Sequence, residues 1–411
     1  MTTTGVLGTL CVILTSACNL RCTYCYQNAK RPGAMRWAVL RAALDTLLQS
    51  EHPSPRVFFV GGEPLLAFAC IRRAVAYIER RRSPAKAVSY EMSTNGLLLG
   101  GREARFLEAM RFRVQVSFDG VRAAQEGRAP GTFGKVDRLL ETVRTNHPAL
   151  FTALRVHLTV TPESIPHLSD SVHYLLGKGV HAITASPSLN GSSRWSPALE
   201  AALDRQFAGV FDACRRHYET TGRVPFRALA SGARPAGNGR LCSFGSGRTL
   251  TVDVDGTLTG CVMTARSYQH FPATRLGRAF RGLQIGHVTD PDLSGRLHTY
   301  RRRFEATGLF DGRYRKYSSY GRCATCADSS ECTVCPAAIV LGGTSDPDRI
   351  PDLVCAFNRV SAKYRAWFSR LEPPSGERQP AGVPADLAEV IARHLTALAR
   401  GGHRRRTTRR S

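Results

Sequence analysis

From residue 6 to about residue 220, short β-branched runs alternate with longer stretches whose apolar residues recur at helical spacing, and the alternation repeats six times. The runs Val6–Leu14, Arg56–Val60, Val88–Ser93, Arg113–Ser117, Leu154–Val160 and Ala182–Ala185 predict strands. The stretches near 35–50, 66–82, 102–110, 134–146, 166–178 and 197–219 predict helices. Strands alternating with helices of this length predict βα units, a parallel sheet and right-handed crossovers. The expected fold class is therefore α/β, with a partial (βα)6 TIM-like barrel over residues 1–225.

Beyond about residue 220 the pattern becomes rich in Gly, Cys and Arg, with one hairpin signal at Thr249-Leu-Thr-Val-Asp-Val-Asp-Gly-Thr-Leu-Thr-Gly260. So irregular a stretch is expected to depend on metal rather than apolar burial, forming a small cysteine-rich domain over residues 226–370. In residues 371–411, Pro373-Pro-Ser-Gly-Glu-Arg-Gln-Pro reads as a linker. Leu387, Val390, Ile391, Leu395 and Leu398 then predict a short helix, followed by a basic tail.

Composition narrows the classes. With 43% apolar residues in 411, a large core is available. The first residues lack a basic run and a cleavage site, and no apolar run approaches the roughly 18 residues of a membrane span. A cytoplasmic protein without a membrane partner is expected. Thirteen cysteines in a reducing compartment, clustered at short spacings, point to metal rather than disulfides. The net charge of +25, with six arginines among the last twelve residues, favours acidic partners; an arginine-rich genome explains it equally well.

The first cysteine group is Cys18-Asn-Leu-Arg-Cys22-Thr-Tyr24-Cys25, directly after the first strand. Barrel sites form at the C-terminal ends of strands. Three thiolates from one loop can hold three irons of a four-iron cube and leave the fourth open. Zinc would normally close its shell with a nearby fourth Cys or His, and residues 12–51 contain no other.

At this loop the chain resembles the radical S-adenosylmethionine superfamily, whose signature has this cysteine spacing and an aromatic residue at the position of Tyr24. The resemblance implies a [4Fe-4S] cluster on Cys18, Cys22 and Cys25 that binds S-adenosylmethionine. One-electron reduction by an external donor such as flavodoxin or ferredoxin then releases a 5′-deoxyadenosyl radical. Gly61-Gly62-Glu63 after the second strand matches the family's GGE motif: the glycines allow close backbone approach, and Glu63 suits the cofactor's ammonium. Ser93 and Asn95 end the third strand, Ser117 and Asp119 the fourth, where their groups suit the ribose and the methionine carboxylate. Each pair taken alone reads equally as an Asx turn.

Cys242, Cys261, Cys323, Cys326, Cys332, Cys335 and Cys355 resemble the seven-cysteine SPASM domain that follows the barrel in one branch of the superfamily. The resemblance implies one or two auxiliary [4Fe-4S] clusters: Cys242, Cys261 and Cys335 on the nearer, and Cys323, Cys326, Cys332 and Cys355 on the farther. The two-residue gap between Cys332 and Cys335 departs from the family's three, and no extra cysteine stands near Ala236. The nearer cluster is thus expected to keep an open iron. A zinc ribbon on the two CxxC pairs is the rival reading. Cys11, Cys70 and Cys214 read as structural thiols.

This branch mostly modifies peptides or proteins, so the expected activity is cross-linking or thioether formation in a ribosomally synthesised peptide. Sulfatase maturases, which make formylglycine, carry an Asp where Val262 stands. Asp253 and Asp255 read as turn residues, and no catalytic acid or base is assigned. Strand one begins too early for a preceding leader-binding domain, so a leader is expected to dock on a separate protein, the second domain or the tail. An RNA-modifying or nucleic-acid-binding iron–sulfur protein is the other class, although no aromatics interleave the tail's arginines. If the tail attracts an acidic leader, deleting residues 401–411 weakens peptide binding and reduces its salt dependence. Equal affinity with and without the tail, measured by titration calorimetry at two salt concentrations, removes the idea.

Overall fold

The computed structural model describes residues 7–27, 33–189, 195–230, 248–267, 271, 273–306, 315–329, 332, 334–342 and 345–371. The first six strands are β1 (Thr9–Ile13), β2 (Arg56–Val60), β3 (Ser89–Thr94), β4 (Arg113–Ser117), β5 (Arg155–Val160) and β6 (Ile183–Pro187). The helices interleaved with them are α1 (Trp37–Gln49), α2 (Phe68–Arg81), α3 (Gly101–Ala109), α4 (Arg122–Arg128), α5 (Phe133–Asn146), α6 (Pro148–Ala153), α7 (Leu168–Gly177) and α8 (Pro197–Thr221). Each strand and helix expected between residues 6 and 220 is present, with ends moved by a few residues. The short helices α4 and α6 have no sequence signal because neither is long enough to display an apolar period.

Local chemistry explains the boundaries. Ser196 caps the start of α8 by accepting from the Leu199 amide, Pro197 occupies its first position, and Gly222 closes it in the left-handed conformation at φ 66°. In β3 and β5 burial alternates residue by residue. Tyr90, Met92, Val156 and Leu158 lie in the core beneath the helices, each worth about 1.5–3 kcal/mol of burial. The opposite face carries Glu91, Ser93, His157 and Thr159, and there Glu91 pairs with Arg56 and Arg113 on the two neighbouring strands at 3.3 and 2.6 Å. The two faces of these strands therefore differ, one apolar beneath the helices and the other polar.

Strand order β6-β5-β4-β3-β2-β1 follows the chain in parallel register. Among the described residues the sheet does not close. Instead β7 (Thr249–Val252) pairs in parallel with β1, placing Thr9 against Thr249, and β8 (Thr257–Thr259) and β9 (Gly286–His287) continue antiparallel from it. The expected hairpin forms, with Gly256 at φ 96° in its turn, yet it belongs to the barrel sheet.

The remaining elements are α9 (Arg275–Arg281), α10 (Leu293–Ala306), the two-residue strands β10 (Tyr317–Ser318) and β11 (Gly321–Arg322), α11 (Pro336–Leu341) and α12 (Asp352–Phe368). The expectation that metal alone would hold this region together is corrected. Leu276, Phe280, Tyr300, Phe304, Ile339, Val340, Val354 and Phe357 are buried in the same core as the barrel's residues. On α12, Phe357, Tyr364, Trp367 and Phe368 pack their rings on Phe207 and Phe211 of α8, and Lys363 pairs with Asp204 at 2.8 Å. Among the described residues no helix is long and apolar enough to cross a membrane. The linker, short helix and tail lie outside the described residues, as does Cys242.

One close approach fixes the end of β2. The Gly62 amide donates to the Thr15 carbonyl at 2.8 Å and the Glu63 amide to that of Ala17 at 2.9 Å. A Cβ at Gly62 would stand 2.1 Å from the Ala17 oxygen, and one at Gly61, whose φ is 150°, would stand 2.3 Å from that of Thr15. The glycines thus admit the backbone of the cysteine loop itself, which corrects the expectation that a ligand makes that approach. Gly62→Ala should cost about 2–4 kcal/mol in chemical denaturation, because neither backbone can move without breaking these bonds. Parental stability would show that the loop shifts freely.

Candidate functional site

The loop after β1 carries Cys18, Cys22 and Cys25, all partly exposed. The Leu20 amide points at Cys18 Sγ from 3.4 Å and Asn95 Nδ2 from 3.9 Å, and the Cys25 amide closes a turn onto the Cys22 carbonyl at 3.1 Å. Donors aimed at sulfur favour the thiolate, the form that ligates iron. Three partly exposed thiols on one braced loop fit a cluster with one open iron. Cys11 and Cys214 are buried by contrast, and burial pushes their thiols up to about 11 and 12, as inert structural thiols require.

Glu63 anchors the loop from one side. Its carboxylate has no solvent exposure and accepts from the Leu65 amide at 3.0 Å, Thr94 Oγ1 at 2.8 Å and the Asn95 amide at 2.7 Å. Burial raises its pKa against the pull of those three donors. A carboxylate has about four acceptor positions, so about one remains for a ligand's ammonium. Asn95 extends the network, since its Nδ2 also donates to Asn19 Oδ1 at 2.7 Å and its Oδ1 accepts from the Leu97 amide at 3.0 Å. Ser93 accepts from Gln115 Nε2 at 3.4 Å.

Asp119 anchors the loop from the other side. It is 2% exposed and takes both forks of Arg128, Nε at 3.0 Å and Nη2 at 2.7 Å, together with the Thr159 amide at 2.9 Å. Tyr24 donates its hydroxyl to the same carboxylate, and the Arg128 guanidinium lies over the Tyr24 ring at 5.2 Å from its centroid. Burial raises the Tyr24 pKa, and the Asp119 charge adds to it. For Arg128 burial works against the charge, yet Asp119 and Tyr24 outweigh it and hold the guanidinium protonated. Tyr24 and Asp119, named separately from the sequence, form one unit.

Sequence reasoning missed Arg128, and also His157, which is paired in register with Ser117 and Thr184. Burial, then the Arg128 charge, lower the His157 pKa to about 4, so its ring is neutral. Beside Tyr24 opens a cavity of about 470 Å3 lined by Thr23 of the cysteine loop, Gly127 of α4, Thr161 and Glu163 after β5, and Ser188 after β6.

The second cysteine set divides in space. Cys323, Cys326, Cys332 and Cys355 line one cavity, with Arg359 and Asp328 at its wall. Cys335 is exposed and not part of that wall; it shares with Cys25 and Cys261 an electrostatic reach to Tyr26, whose phenol burial raises to about 12. Val262, half-buried, packs against the cluster of Ile13, Val60 and Ala265, as Tyr26 does. Asp253 is buried and bound by the Ser267 amide and hydroxyl, and Asp255 accepts from the Thr257 amide at 2.8 Å, so both serve the hairpin. Among the described residues no three Cys, His, Asp or Glu converge as one metal ion would need. Arg128→Ala would leave the Asp119 charge buried and unpaired. It should lower stability by about 3–5 kcal/mol, read from urea unfolding, with Arg128→Lys recovering only part because lysine lacks the fork.

Residues 12–171 match the radical SAM superfamily. An uncharacterized protein of Methanocaldococcus jannaschii is 30% identical over 177 residues, 42% of this chain and 59% of that protein, so the chain spans less than two thirds of its length. A cysteine-type anaerobic sulfatase-maturating enzyme of Clostridium perfringens is 29% identical over 268 residues, 60% of this chain and 71% of the enzyme. Among solved structures, polyhistidine-tagged anSMEcpe with bound AdoMet superposes with a TM-score of 0.68 at 18% identity, covering 94% of this chain and 98% of that one. Native anSMEcpe with bound AdoMet and Kp18Cys peptide gives 0.63 at 19% identity, covering 87% and 96%. These two share the fold. The braced CxxxCxxC loop on a partial barrel and the family match together identify residues 12–171 as a radical SAM domain.

Proposed function

We propose that this chain reductively cleaves S-adenosylmethionine and uses the radical to modify a peptide, by cross-linking or thioether formation. The observation that carries the reading is the Cys18, Cys22 and Cys25 loop held at the strand ends between the buried Glu63 and Asp119 networks, in a chain where Cys323, Cys326, Cys332 and Cys355 line a second cavity. When bound, a four-iron cluster supplies the electron that splits the cofactor into methionine and a 5′-deoxyadenosyl radical able to take hydrogen from the substrate.

In this reading Cys18, Cys22 and Cys25 hold the first cluster and Cys323, Cys326, Cys332 and Cys355 the farther auxiliary one. Cys261 and Cys335, joined by Cys242, hold the nearer. Glu63 and Asn95 fix the loop, and the remaining acceptor position of Glu63 receives the cofactor's ammonium. Tyr24, Asp119 and Arg128 form a rigid wall beside the 470 Å3 cavity, which falls in the size range of ligand sites. Gly61, Gly62, Ser93 and Ser117 complete the strand-end surface. The domain division at 225/226 and 370/371 belongs to the same reading, as do an external flavodoxin or ferredoxin and a peptide delivered with or without a separate leader-binding protein. The peptide bound to anSMEcpe, which shares the fold, supports a peptide substrate.

Formylglycine formation is the second reading, favoured by the sulfatase-maturating relatives. Val262 opposes it, because an apolar side chain packed against Ile13 and Val60 stands where those enzymes place their base. Anaerobically reconstituted protein given S-adenosylmethionine and dithionite should yield 5′-deoxyadenosine, and Cys22→Ala should yield none. Absence of product at full iron content sinks the reading. Coexpression with short peptides encoded beside the gene, followed by mass spectrometry, should show hydrogen loss in one of them; turnover of a sulfatase peptide to formylglycine would favour the second reading instead.

A further inference from the structure

One of the four cysteines that line the second cavity, Cys355, receives a hydrogen bond from outside the cavity wall that none of the foregoing uses. Ser318 ends β10, is 6% exposed, and directs its hydroxyl at Cys355 Sγ from 3.1 Å. The direction of that bond is fixed. The Tyr320 amide donates to Ser318 Oγ at 3.2 Å, occupying a lone pair, so the hydroxyl proton goes to the sulfur. The turn that arranges this is the tight β10–β11 hairpin, in which Ser318 pairs with Gly321 at φ 113°.

A cation stands on the same side. Arg359 lines the cavity and lies over the Tyr320 ring at 5.3 Å, and Tyr320 in turn accepts from Trp195 Nε1. Arg359 is largely solvent-exposed and Asp328 faces the same cavity, so its field there is screened. The Ser318 bond is sheltered and stronger. Hydrogen bonds and positive charge at a ligating sulfur stabilise the more negative, reduced state of an iron–sulfur group and so raise its potential.

We propose that Ser318 is the positioning residue that sets the reduction potential of the group held by Cys323, Cys326, Cys332 and Cys355, with Arg359 as a weaker contributor of the same sign. The inference rests on the reading of that cavity as a cluster site. An electron delivered by dithionite through mediator dyes to this group finds it easier to reduce with the hydroxyl in place than without it.

The test is an EPR-monitored redox titration of the reconstituted full chain, the signal of this group being the one lost in Cys326→Ala. Ser318→Ala should shift that signal to lower potential, Arg359→Gln should shift it less in the same direction, and Ser318→Thr, which keeps the hydroxyl, should leave it in place. The signal of the Cys18, Cys22 and Cys25 loop should not move in any of them. An unmoved potential in Ser318→Ala at unchanged iron content overturns the proposal. Iron loss from Ser318→Ala but not from Ser318→Thr overturns it too, in favour of a role in assembly. If Cys326→Ala removes neither iron nor a signal, it is the cluster reading of the cavity that fails.

Discussion

The buried carboxylate of Glu63 is the constraint on which the rest of the site depends. An ionisable group with no solvent contact costs several kcal/mol unless donors surround it, and the Leu65 amide, the Asn95 amide and Thr94 Oγ1 are those donors. To keep them, the ends of β2 and β3 must stay in contact. Through the Gly62 and Glu63 amides on Thr15 and Ala17, the same contact holds the first residues of the cysteine loop. The position of Cys18 is thus set by two barrel strands. So short a loop could not hold it alone.

Asp119 makes the corresponding demand at the far end of the loop. Its pairing with Arg128 folds α4 back across the end of β4, and Thr23 Oγ1, donating to the Gly127 carbonyl at 2.7 Å, fastens the loop to that helix. The stretch from Cys18 to Cys25 therefore hangs between two buried carboxylates on strands two apart in the sheet. Neither needs to touch a substrate to matter for the chemistry, because each fixes a different part of the three-thiol geometry.

Much of this was legible in the sequence, and the rest was hidden for identifiable reasons. Strand periodicity located β2 and β4 to the residue, since Arg56–Val60 and Arg113–Ser117 are short and bounded by turns. Polar residues at strand ends marked Glu63, Asn95 and Asp119 as a group. What spacing could not disclose was their direction: Glu63 and Asp119 turn into the protein, where burial makes them braces. Arg128 was invisible because α4 is seven residues long and carries no apolar period, and one arginine among so many has no distinguishing local context. The glycines at 61 and 62 were recognised as permitting a close approach, but the partner, a backbone far earlier in the chain, is a tertiary fact. The cysteine-rich region misled for another reason: Leu276 with Phe280, and Leu297 with Tyr300 and Phe304, recur at helical spacing, but that they share the barrel's core is a tertiary fact.

That shared core decides how the two cysteine sets relate. Because β7 extends the barrel sheet from β1 and α12 is clamped to α8 by aromatic packing, the second region cannot swing as a tethered domain would. Two seams on separate elements, one hydrogen-bonded and one apolar, would have to open together. Val262 lies at the first seam, sealed with Ile13, Val60 and Tyr26, and this explains why an apolar residue is stable there. A carboxylate at this half-buried position would lose part of its hydration and the apolar contact that Val262 makes there. Residue 262 is therefore a packing residue at the joint between the two regions, and a charged substitution there would alter how tightly that joint closes.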